Sequence, residues 1–119
     1  MTNKEYVGVL SAAQIDEAKV SRVCKAYGAN FPDVVKKILS SADECVFLDG
    51  GYRVLSLSEI MDAEKDLHVQ FKEKGILPLV DCEENDFIVY HYEDDFWSKF
   101  NIVDETVFKK KNSLAELLK

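Results

Sequence analysis

The sequence predicts an α+β domain: an antiparallel sheet of about five strands flanked by helices. Three observations lead there. Serine-led capping patterns open helical stretches at three places, short β-rich runs lie between and after them, and a Gly-Gly turn joins two of those runs. At 119 residues the chain is expected to be one domain, residues 1–119. A chain of this size buries roughly 65% of its unfolded surface, enough to fold without disulfides or metals.

The first helix is expected from Ser11-Ala12-Ala13-Gln14 to Tyr27, with Gly28 as its stop. In this pattern the serine and the Gln or Glu three positions later satisfy each other's free amides. Ile15, Val20, Val23, Cys24 and Tyr27 share one side. A short helix starts at Pro32, where the missing N–H costs nothing, and Val34, Val35, Ile38 and Leu39 form its stripe. Cys45–Leu48 and Tyr52–Leu55 read as strands around Asp49-Gly50-Gly51, a turn suited to positive φ. Ser56-Leu57-Ser58-Glu59 opens a long helix that Gly75 ends.

Ile76–Val80, Phe87–Tyr92 and Phe96–Val103 are the remaining strands, a possible meander. Pro78 argues for an edge position or a bulge. Lys109-Lys110-Lys111 reads as a solvated turn, and Ser113-Leu114-Ala115-Glu116 opens the terminal helix.

The charge is unevenly placed. The chain has fifteen basic and twenty-two acidic residues, net −7. Asp81, Glu83, Glu84, Asp86, Glu93, Asp94 and Asp95 fall in one window without a Lys or Arg, and outside it acids and bases balance. Such a field repels nucleic acid and attracts a basic partner. On alternation Trp97 lies opposite Phe96 and Phe100, so it either anchors a binding face, with Tyr92 beside it, or packs under a helix. Glu83, Glu84, Asp86, Tyr92, Glu93, Asp94, Asp95 and Trp97 are therefore the candidate partner-binding residues.

Other chemistries find little support. His68 and His91 have no nucleophile with a local signature, so catalysis is not expected. Cys24, Cys45 and Cys82 form no C-x-x-C and read as reduced structural thiols. The acidic loops do not fit a calcium loop, and a strand of about 17–20 Å separates them, so no metal or other cofactor is expected. No stretch approaches the roughly 20 apolar residues of a membrane span. Met1–Tyr6 lacks the apolar core of a signal peptide, and a cytoplasmic location is expected.

The order of elements resembles the SUKH superfamily, which includes fungal cell-wall-synthesis regulators and bacterial immunity proteins. The resemblance runs from about Ile15 through Tyr27-Gly28, Phe31–Leu39, Asp49–Leu55, Leu57–Ile60, Ile76-Leu77-Pro78-Leu79-Val80 with its acidic loop, and the terminal Leu-rich helix. The helix from Pro32 departs from the family by running on into Ser40–Glu44, and Asp81–Asp86 lacks the loop's frequent glycine. The resemblance implies an α+β, non-catalytic domain that binds and neutralises a toxin domain, often a nuclease or deaminase. A regulatory or scaffolding module of the same fold, with no toxin partner, is the alternative; a small-ligand or metal-binding domain is a third.

Overall fold

The computed structural model describes residues Met1–Leu118. Its centre is one six-stranded antiparallel sheet whose spatial order follows the sequence: β1 (Val46–Phe47), β2 (Arg53–Val54), β3 (Ile76–Asp81), β4 (Asp86–His91), β5 (Phe96–Asn101) and β6 (Thr106–Lys111). The α+β class is as expected, with six strands in place of about five. The added strand, β6, includes the lysines expected in a turn. As a solvent-facing edge it needs little apolar alternation, and only Val107 and Phe108 carry any.

Both faces of the inner sheet are covered. In β3 and β4 every residue except Asp81 and Asp86 is buried, a pattern that needs helices on both sides. On one face Phe71 of α6 (Phe71–Lys74) meets Phe100 at 6.1 Å between ring centres. On the other, α1 (Asn3–Ala12), α3 (Asp33–Ser40) and α7 (Leu114–Leu117) border a groove whose wall includes Trp97. Pro78 sits in an internal strand, so the edge alternative fails. A bulge between Pro78 and Val80 accommodates it instead.

The helices depart from expectation in two places. Ser11 opens nothing: its hydroxyl donates to Gly8 O at 2.9 Å. The N-terminal segment is instead α1, capped by Thr2, whose Oγ1 accepts from Glu5 N (3.0 Å) while Glu5 Oε1 accepts from Thr2 N (3.3 Å). A new start follows at Asp16, whose Oδ1 accepts from Ala18 N and Lys19 N and opens α2 (Glu17–Tyr27). Gly28, left-handed at φ 62°, ends α2 as expected.

The stretch after Ser56 also breaks, into α4 (Leu57–Met61), α5 (Ala63–Leu67) and α6. His68 turns left-handed at φ 57°, and the Glu64 carboxylate accepts from Lys72 N at 2.9 Å across the break. Val69 and Phe71 are both buried. An unbroken helix would point them about 200° apart, so the core favours the break.

Candidate functional site

The seven acids divide between two connections at opposite ends of β4, about 17–20 Å apart at roughly 3.3 Å per residue. The β3–β4 loop is an unusual backbone. Glu83, Glu84 and Asn85 all lie in the left-handed region, at φ 72°, 52° and 69°. Hydrogen bonds hold it there: Glu83 N donates to Asp81 Oδ1 (2.9 Å) and Ile102 N to Asn85 O (2.9 Å). Asp86, half-buried, accepts from Asn101 Nδ2 at 2.9 Å.

Left-handed L-residues cost about 1–2 kcal/mol each. Glu84→Gly is therefore expected to raise stability by up to about 1 kcal/mol, after the greater freedom of glycine in the unfolded chain is subtracted. A urea titration reads this as a higher midpoint.

Glu83 and Glu84 are exposed, and among the described residues neither they nor Asp86 form an ion pair. Glu83 folds back over the 3-10 turn Asp49–Gly51: a Cβ on Gly51 would come within 2.7 Å of its carboxyl carbon. Arg53, at the shoulder of this loop, is already engaged. Its Nη1 lies 2.7 Å from both Glu59 oxygens, and its Nη2 lies 3.4 Å from Asp81. Burial pushes the Glu59 carboxyl up, but the Arg53 and Ser56 hydrogen bonds outweigh it and hold the group below its ordinary value.

The same end carries two exposed apolar side chains, Phe47 (69% exposed) and Val103 (74%). Phe47 belongs to a two-residue edge strand, and its carbonyl accepts from the Met1 ammonium at 3.4 Å. The sequence places Phe47 in the expected strand Cys45–Leu48, but a run this short does not say which of its side chains face outward.

The β4–β5 turn differs. Asp95 accepts the Tyr90 hydroxyl at 2.7 Å, and Glu93 covers Gly75, where a Cβ would meet its carboxyl carbon at 2.8 Å. Tyr92 is not a free anchor. Its ring packs edge-on to Tyr27 (6.3 Å) and Phe31 (5.8 Å), and its hydroxyl donates to Lys72 O at 3.3 Å. Lys110 lies over the Phe96 ring on this side, so positive charge shares this end.

Trp97 corrects the anchor expectation outright. It is 3% exposed and packs on Tyr90 at 5.0 Å between ring centres, because α1, α3 and α7 occupy its face of the sheet. The groove beside it, about 440 Å³, is lined by Val7, Leu10, Val34 and Leu114.

His91 is 8% exposed, stacked on Phe96 at 3.8 Å and hydrogen-bonded through Nε2 to the buried Ser98 hydroxyl at 2.8 Å. Burial lowers its pKa below the ordinary 6.5, Asp94 opposes that shift and Lys110 reinforces it. Between the folded value and 6.5 the unfolded chain binds more protons. Stability is therefore expected to be complete above about pH 6.5 and to fall as pH drops below it, levelling once the folded value is passed. Urea titrations across that window test this, and His91→Gln should flatten the slope. Burial also pushes the Cys82 thiol up to about 12, with Lys99 opposing, so it is a poor nucleophile.

No protein-family model matches the chain, and no curated protein is significantly similar to it. Among the described residues no helix is long and apolar enough to cross a membrane.

Proposed function

We propose that this chain is a non-catalytic, protein-binding domain of the immunity type, which neutralises a toxin domain of the nuclease or deaminase class by covering its basic surface in the cytoplasm. One observation carries the reading: at the β3–β4 end, Glu83, Glu84 and Asp86 have no cationic partner among the described residues and stand beside the exposed Phe47 and Val103. Unpaired charge around an exposed aromatic is the composition of a steered contact, with rim charges setting encounter rate and the apolar residue contributing binding energy. The resemblance to SUKH proteins supports the same reading. Strain held in the β3–β4 loop fits too, since strained backbone gathers at binding sites.

The test is co-expression. Proteins captured on the tagged chain from its own source cells are identified, and each is expressed alone and together with this chain. Toxicity of one captured protein that the chain abolishes supports the proposal. A captured partner that is harmless when expressed alone points to a regulatory or scaffolding module, and capture of nothing specific overturns the binding reading.

A further inference from the structure

The sheet has one long free edge. Among the described residues no strand pairs with the outer side of β6 (Thr106–Lys111), and five of its six residues are exposed, with Phe108 half-buried. Such an edge presents main-chain N–H and C=O groups to any chain able to run alongside it, although Thr106 N already donates to Asp104 Oδ1 at 3.2 Å. Its far half is a bulge. Trp97 pairs with Lys111 and Lys99 with Phe108, so two β6 residues, Lys109 and Lys110, stand opposite Ser98. Lys109 takes the left-handed conformation, φ 53°, that such bulges usually give to glycine. Thr106–Phe108 is left as the straight part of the edge.

Charge decides what this edge accepts. Lys109, Lys110 and Lys111 form no ion pair among the described residues, although the whole chain carries net charge −7. Lysines on an edge discourage pairing with a second copy, which would bring two lysine triads together. The same three charges favour a strand of opposite sign, so repulsion of the wrong partner and attraction of the right one come from the same residues.

We infer that β6 is a docking edge for an extended acidic segment of a partner protein, which joins the sheet along Thr106–Phe108 with its carboxylates over Lys109–Lys111. Main-chain hydrogen bonds hold such a segment, and the lysines select its charge. Thr106 lies level with Asn101 and Asp86, so the straight half of this edge begins at the acidic end and the lysines lie toward the opposite end of the sheet; the inference does not rest on the proposed function.

The test uses a labelled, end-capped peptide of alternating glutamate and valine, about ten residues long, and a matching lysine–valine peptide. Fluorescence anisotropy is expected to show the acidic peptide binding, with the basic one at least tenfold weaker. Lys109→Glu with Lys110→Glu and Lys111→Glu should weaken acidic-peptide binding at least tenfold. Lys110→Gln with Lys111→Gln, which keeps the bulge residue, should weaken it severalfold if the triple variant fails to fold. Amide exchange at Thr106–Lys111 should slow at least tenfold when peptide is added to the unaltered protein. Absence of binding, binding without slowed exchange, or slowed exchange that rises with protein concentration in the absence of peptide would each overturn the inference. The last of these would make the edge a contact between copies.

Discussion

Trp97→Ala is expected to lower the folding free energy by about 3–5 kcal/mol, the usual cost of truncating a buried Trp or Phe. The side chain is 3% exposed and rests on Tyr90, so its removal leaves a hole in the packed face under α1, α3 and α7. The adjoining groove lets water and neighbouring side chains partly fill that hole, which places the expected loss toward the lower figure. Because Trp97 is the only tryptophan, far-UV circular dichroism must report the urea transition. Phe47→Ala gives the contrast. That ring is 69% exposed, so stability should change by no more than about 0.5 kcal/mol. Partner affinity should instead fall at least tenfold. If Trp97→Ala left stability intact and abolished binding, the sequence's first choice of anchor would be restored.

The two residues show what the sequence could and could not tell. Alternation along β5 put Trp97 opposite Phe96 and Phe100, and the register bears that division out. What alternation lacks is any statement of which face is covered. That depends on where α1, α3 and α7 come to rest, and none of their long-range contacts is written into local periodicity. Phe47 was hidden for a related reason. Strands of two residues give too short a pattern to read, although Leu48 beside it was a core residue all along.

Local chemistry was legible where one residue decides the backbone. Gly28 and Gly75 end helices as expected, and Ser56 and Ser113 open them. Ser11 failed because Thr2 and Asp16 are better placed caps on either side, and the Thr2-Asn3-Lys4-Glu5 pattern that opens α1 was present to be read. The break at His68 could not be read, since it follows from the core's demand for Val69 and Phe71 together. The acidic window was visible as composition, and strand geometry already divided it. Its asymmetry was not visible. Lys72 and Lys110 reach the β4–β5 end from elsewhere in the fold, and only the folded chain brings them there.

That asymmetry sets the second large effect. Reversing Glu83 and Glu84 to lysine is expected to slow association with the captured partner at least tenfold at low ionic strength, and to flatten the salt dependence of the rate. Reversing Glu93 and Asp94 should slow it no more than about threefold. The two ends can be compared independently, because about 17–20 Å of strand separates them while the screening length at physiological salt is about 8 Å. Each charge therefore acts mainly on the part of the partner nearest to it. Each end has one carboxylate folded over a glycine, Glu93 over Gly75 and Glu83 over Gly51, so the difference is Lys110, which offsets part of the field at the β4–β5 end. At the β3–β4 end the nearest guanidinium, Arg53, is held by Glu59 and Asp81, leaving the loop's carboxylates for the partner. Stopped-flow association rates for both variants over a salt series decide the matter. Equal slowing from the two ends would mean that net charge alone steers the encounter, and no slowing from Glu83 and Glu84 would remove the β3–β4 loop from the binding face.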